Sequence, residues 1–150
     1  MDVIDLLKKV RIFKGLTEEE LNKFAAIAYE EQSPPKDIVI EEGVEGKALY
    51  IIKRGTVIVS KVKKDLETVL AKLSVGEAVG EMSLIEDTLT SARVTAENEV
   101  ECLLIDREVF LDLLEKDQSI AAKVYKNFTR ILSERLRQTS AELAKWKPES

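Results

Sequence analysis

The residues best suited to chemistry fall in one stretch, Gly76-Glu77-Ala78-Val79-Gly80-Glu81-Met82-Ser83-Leu84-Ile85, continued by Glu86-Asp87-Thr88-Leu89-Thr90-Ser91-Ala92-Arg93-Val94. Gly76 and Gly80 permit tight backbone turns, and the short apolar run after Glu81 can form one helical turn whose free amides face whatever sits in the loop. Such amides suit an anion. The side chains oppose one: from Gly76 to Ala92 there are four acids, Glu77, Glu81, Glu86 and Asp87, and no base. A hydroxyl-lined pocket of this kind suits a less charged ligand, and taken alone the Gly-Glu-x-x-Gly-Glu string is also compatible with a plain loop.

Other chemistries are removed by composition. The 150 residues contain no histidine, which excludes Ser-His-Asp and Cys-His nucleophile systems and His-ligated metals together. One cysteine, Cys102, makes neither an internal disulfide nor a cysteine cluster, and its apolar run Val100-Glu101-Cys102-Leu103-Leu104 predicts a buried, inert thiol. Glu77 and Glu81 lie four positions apart in a glycine-containing loop, which gives no defined separation for acid/base work. No enzyme, cofactor or metal site is expected. With 28 acids against 23 bases the chain has no general attraction to polyphosphates or anionic membranes. It lacks an apolar run of membrane-spanning length, and acids in Met1–Arg11 argue against a secretory signal, so a cytoplasmic protein is expected.

Several elements must position that loop. Leu16-Thr17-Glu18-Glu19-Glu20-Leu21 carries a capping box with its hydrophobic staple, which predicts a helix continuing through Leu21, Phe24, Ala25, Ile27 and Ala28 until Ser33-Pro34-Pro35. Short β-branched runs follow at Ile38–Ile40, Ala48–Ile52, Thr56–Val62, Thr68–Leu73, Ala92–Ala96 and Val100–Ile105, separated by glycines and the polar tip Lys63-Lys64-Asp65. Many short strands at this spacing predict an antiparallel barrel or jelly roll. Asp106 is placed to cap a short helix carrying Val109, Phe110, Leu113 and Leu114. From Gln118 to Trp146 apolar or small residues recur at Ala122, Tyr125, Thr129, Leu132, Leu136, Thr139, Leu143 and Trp146, the three-four alternation of a coiled-coil seam. A stripe this narrow favours contact with a partner, with Tyr125, Leu132, Leu136, Leu143 and Trp146 as its large residues, over ordinary packing on the chain's own barrel. The division is a β-roll with flanking helices at 1–116 and a dimerisation or docking helix at 117–150, where seven bases meet four acids.

In order and spacing these motifs resemble the cyclic nucleotide-binding domain family, the type found in the catabolite activator protein and in regulatory subunits of cyclic-AMP-dependent kinase. The resemblance runs through Phe13-Lys14-Gly15-Leu16-Thr17, Glu42-Gly43-Val44-Glu45-Gly46-Lys47-Ala48-Leu49-Tyr50-Ile51-Ile52, Gly55-Thr56-Val57, the Gly76–Glu81 loop, Ala92-Arg93-Val94-Thr95-Ala96 and Arg135-Leu136-Arg137. It implies a mainly β fold, an eight-stranded antiparallel β-roll with helices before it and a long helix after it. It also implies a phosphate-binding cassette at Gly76–Ala92. There Glu81 would accept from a ribose 2′-hydroxyl, the amides after Gly80, at Glu81, Met82 and Ser83, would hold a phosphate oxygen, and Ser91 with the amide of Ala92 would add donors. Thr139-Ser140 would meet the base, across a dimer. The family's phosphate-pairing arginine falls at Thr90, which brings no charge. Arg93, three positions on in a strand, is expected to face solvent rather than replace it.

Two functions follow from the resemblance. One is a non-enzymatic regulatory sensor for cyclic AMP or cyclic GMP, with binding weakened by Thr90 and the ligand coupled to the long helix of a homodimer. The alternative is a degenerate member that binds no cyclic nucleotide and acts as a dimerisation or protein-interaction scaffold. DNA-binding relatives carry a helix-turn-helix after the long helix, and none is written before Ser150, so neither nucleic acid nor membrane is an expected partner.

Overall fold

Side-chain caps start the first two helices. In the structure, a computed structural model that describes residues 2–146, Asp2 accepts from the Asp5 amide at 2.8 Å and opens α1 (Val3–Lys8). After a 3₁₀ turn at Arg11–Phe13, Thr17 accepts from the Glu20 amide at 3.2 Å while Glu20 accepts from the Thr17 amide at 2.9 Å. That box starts α2 (Glu18–Ile27). The helix is shorter than its pattern predicts: Ala28 turns extended and Tyr29–Ser33 becomes strand β1. Tyr29-Glu30-Glu31-Gln32 is exposed along its length and carries no buried alternation, so the strand owes its existence to edge pairing with a later, apolar strand.

Seven more strands follow: β2 (Ile38–Ile40), β3 (Ala48–Arg54), β4 (Val57–Lys63), β5 (Leu66–Leu73), β6 (Ala78–Val79), β7 (Arg93–Ala96) and β8 (Val100–Asp106). They form two four-stranded antiparallel sheets, ordered β1-β8-β3-β6 and β2-β7-β4-β5. This is the expected eight-stranded β-roll. The β4–β5 hairpin turns at Lys64 and Asp65, both at positive φ, the backbone that a two-residue primed turn demands.

Alternation along β3 and β8 divides the core in two. Leu49, Ile51, Leu103 and Ile105 face outward under the helices, beside Leu6, Phe13, Phe24, Phe110 and Phe128. Ile52, Cys102 and Leu104 face inward, against Val57, Val94, Ala96 and Val100 of the roll's interior. Strands covered on both faces read as continuous apolar runs, which explains Cys102-Leu103-Leu104-Ile105. Cys102 is buried, and burial pushes its thiol up to about 11, in line with an inert role.

The helix α3 (Arg107–Lys116) starts after Asp106, but that carboxylate does not cap it; it accepts instead from the Tyr29 hydroxyl at 2.7 Å, tying β8 to the edge strand. Asp117 caps α4 (Gln118–Lys145), accepting from the Ile120 amide at 3.1 Å. The long helix has two stripes where the sequence pattern shows one. Ile120, Val124, Phe128 and Ile131 are buried against the body. Tyr125, Leu132, Leu136, Leu143 and Trp146 are exposed, the last three by 68%, 68% and 80%. Polar anchors hold the first half: Asn127, buried, donates to the carbonyls of Ile12 and Lys14 at 2.9 and 2.8 Å, and the Lys123 ammonium and Ser119 hydroxyl both reach the Glu20 carboxylate. Residues 147–150 of the expected 117–150 element lie outside the described residues.

Candidate functional site

Between the sheets lies a cavity of about 830 Å³, at the large end of the range for small-molecule sites. Its floor is β3, and one wall is the segment between β6 and β7. Gly80 makes the wall possible: at φ +87° it turns the chain, and a Cβ there would lie 2.6 Å from the carbonyl oxygen of Ala48 on β3. The 3₁₀ turn Met82–Leu84 follows, anchored by buried Leu84. Gly46 packs against that turn, where a Cβ would fall 2.3 Å from Ser83 Oγ.

Gly80, Glu81, Met82, Ser83, Thr90, Ser91 and Ala92 all line this cavity. Thr139 and Ser140 do not; they lie on the exposed second half of α4. The expected seam residues Tyr125, Leu132, Leu136, Leu143 and Trp146 lie outside the cavity too.

Thr90 has a task of its own. Its hydroxyl donates to the Glu41 carbonyl and accepts from the Val44 amide at 3.1 Å, while its backbone bonds Gly43 and Val44 at 2.9 and 2.7 Å. It stitches the loop before β3 to the loop before β7. Arg93 does not line the cavity; its guanidinium makes a two-point contact with the Glu41 carboxylate, Nε–Oε1 2.8 Å and Nη2–Oε2 3.2 Å, which holds that carboxyl below its usual range.

Four acids line the cavity, but not the four expected: Glu77 and Glu81 are joined by Glu41 and Glu45 from the loop before β3. Glu86 and Asp87 are exposed and do not line the cavity, and Asp87 points toward Arg107 at 3.8 Å. Glu77 accepts from the Ser74 amide at 3.1 Å, closing its own turn. Bases arrive from elsewhere: Lys9 and Arg11, Lys47, and Arg135 line the cavity from three separate segments. Pattern reading missed these bases as cavity residues because they stand up to 126 positions apart in the chain; Lys47 and Arg135 lay in motifs already noted, Lys9 and Arg11 in none.

Glu81 is the unusual group. Its side chain is 9% exposed, and among the described residues Oε2 has no hydrogen-bond partner. Burial raises its carboxyl above the usual range, opposed by Arg11, whose Nη2 stands 3.6 Å from Oε1, and by Arg135 at longer range. A buried acceptor without a donor is costly, and it is the kind of group that a ligand hydroxyl completes.

The profile described as "Cyclic nucleotide-binding domain" matches residues 30–117. The chain belongs to the cyclic nucleotide-binding domain family. Over 109 residues this cyclic nucleotide-binding domain is 37% identical to cGMP-dependent protein kinase 2 of Homo sapiens, covering 71% of this chain and 14% of the kinase, so the chain spans about a seventh of the kinase's length. Among solved structures it is similar to the Thermus thermophilus catabolite activator protein, with a TM-score of 0.78 and 30% identity over 89% of this chain and 62% of that one. The regulatory domain of Toxoplasma gondii PKA, solved with cAMP, superposes with a TM-score of 0.69 and 26% identity over 79% of this chain and 47% of that one. The fold and family implied by the sequence motifs are therefore established. The cavity lies at the cassette that the family resemblance marks out.

Proposed function

We propose that this chain is a non-enzymatic regulatory domain that binds a 3′,5′-cyclic nucleotide, cyclic AMP or cyclic GMP, in the cavity between its sheets. The carrying observation is Glu81 Oε2, buried in the cavity wall without a donor. A ribose 2′-hydroxyl supplies one. Met82 and Ser83, whose amides have no partner within their 3₁₀ turn, line the same space as Ser91 and Ala92, and on this reading those amides and the Ser91 hydroxyl are the phosphate donors. Relatives named for cGMP dependence and solved with cAMP support the ligand class.

Thr90 limits the affinity. A guanidinium brings charge and paired donors that a hydroxyl already committed to Glu41 and Val44 does not. Losing one partner of an enclosed charge pair costs on the order of 2–5 kcal/mol, roughly thirty-fold to several-thousand-fold in affinity. Calorimetric titration of wild type and Thr90→Arg with cyclic AMP and cyclic GMP tests this. Weak wild-type binding that tightens in Thr90→Arg supports it, and absence of binding by both contradicts it.

The exposed stripe of α4 favours a second role, pairing with another copy of the chain or a partner protein. Leu136, Leu143 and Trp146 would pair at the seam, bringing Thr139 and Ser140 to a neighbouring copy's ligand. If no nucleotide binds, this scaffold role is the function that remains.

A further inference from the structure

On the reading of the cavity as a cyclic nucleotide site, we propose that Arg11, far outside the cassette, supplies the counter-charge for the ligand's phosphate. The cassette offers none: Thr90 is neutral and engaged, and Arg93, which does not line the cavity, is paired with Glu41. Four bases line the cavity from other segments, Lys9, Arg11, Lys47 and Arg135. Among them Arg11 makes the direct approach to Glu81, with Nη2 at 3.6 Å from Oε1.

Covalent chemistry decides why nearness to Glu81 matters. In a 3′,5′-cyclic nucleotide the 2′-hydroxyl and the phosphate ester sit on adjacent ribose carbons. A hydroxyl donated to Glu81 therefore brings the phosphate within a few ångströms of the carboxylate, and within the swing of a cation beside it. Arg11 has donors to spare. Its contacts to Glu81 and, through Nη1, to Glu134 on α4 at 3.7 Å are ion pairs longer than hydrogen bonds, and its side chain is 55% exposed. Its planar fork also fits phosphate geometry, where Lys9 and Lys47 offer point charges. The Lys9 stem is further occupied beside Gly76, whose Cβ position lies 2.7 Å from its Cδ. Arg11 is held by the 3₁₀ turn Arg11–Phe13, whose Ile12 carbonyl is tied to Asn127 of α4, so the arginine has a fixed base.

A half-exposed arginine is screened by salt, whereas a purely structural contact is not. The test is calorimetric titration with cyclic AMP and cyclic GMP at low and high salt, on wild type, Arg11→Ala, Arg11→Lys, Thr90→Arg and the double variant Arg11→Ala with Thr90→Arg, each confirmed folded by circular dichroism. The expected result is a tenfold or greater loss in Arg11→Ala at low salt, a smaller loss in Arg11→Lys, narrowing of both gaps at high salt, and recovery in the double variant. Equal affinity of wild type and Arg11→Ala overturns the assignment, and so does a loss that salt does not alter. If wild type fails to bind while Thr90→Arg binds, the pocket stands and the role of Arg11 falls. If Thr90→Arg fails as well, the nucleotide reading falls with it.

Discussion

The Thr90 hydroxyl donates to the backbone carbonyl of Glu41, joining two loops that lie 49 positions apart in the chain. The same oxygen accepts the Val44 amide, and the strip is extended by the Glu45–Leu89 bridge. A position expected to meet a ligand thus fastens the rim of the cavity. Replacing Thr90 with Val keeps the shape and removes both side-chain hydrogen bonds, which should destabilise the fold by about 1–3 kcal/mol at about 0.5–1.5 kcal/mol each. Urea denaturation measures it; an unchanged midpoint would mean that water replaces both bonds at no cost.

Glu81 should trade stability for binding. Its carboxyl is raised, first by burial and against the pull of Arg11 and Arg135, so folding opposes its ionisation. A raised carboxyl costs nothing below its ordinary value of 4.5 and destabilises the empty protein as pH rises through and above it. Glu81→Gln should therefore melt higher than wild type at pH 7, with the difference vanishing below about pH 4, and should bind cyclic nucleotide more weakly. A lower melting point at pH 7 would show that the Arg11 contact outweighs burial.

Glu20 behaves in the opposite sense. Its carboxyl is lowered to about 2, chiefly by Lys123, then by the Thr17 amide. A lowered carboxyl contributes stability that is complete above the unfolded value of 4.5 and is lost as pH falls toward 2. The melting temperature of wild type should decline through that window, and Glu20→Gln should flatten the decline while lowering stability at neutral pH. An identical acid limb in both proteins would rule the contact out as a contributor.

Asn127 fixes the start of the long helix to the turn beneath it through the carbonyls of Ile12 and Lys14. Asn127→Ala leaves both without that donor, and an unmet buried polar group costs about 1–3 kcal/mol. Amide hydrogen exchange should show faster opening in the first half of α4. Unaltered protection there would mean that Val124 and Phe128 suffice.

The fold was legible where one rule governs one segment. The capping box at Thr17 and Glu20 is formed as written, and the apolar run Val100–Ile105 is the doubly covered strand β8. Tyr29–Ser33 was not, because nothing in Glu30-Glu31-Gln32 marks a strand until β8 is beside it. The two-residue strand β6 was hidden in the cassette for a similar reason, since Ala78 and Val79 become a strand only by pairing with Ile51 and Tyr50. At the site, contiguous motif residues such as Gly80, Glu81 and Ser91 could be named from the chain, whereas Arg11 reaches Glu81 across 70 positions and carries no local pattern. The exposed stripe of α4 is legible as a three-four alternation, whereas the buried stripe from Ile120 to Ile131 is masked by it in the pattern.

Binding of cyclic AMP compared with its 2′-deoxy analogue, by calorimetry on the wild-type chain, tests the central claim most directly. The two ligands share base and phosphate and differ in the one hydroxyl that Glu81 would accept. The account predicts that cyclic AMP binds and that the deoxy analogue binds at least tenfold more weakly, the worth of a hydrogen bond to a charged group at about 1.5–3 kcal/mol. Equal affinity for the two, or no binding of either, would contradict it.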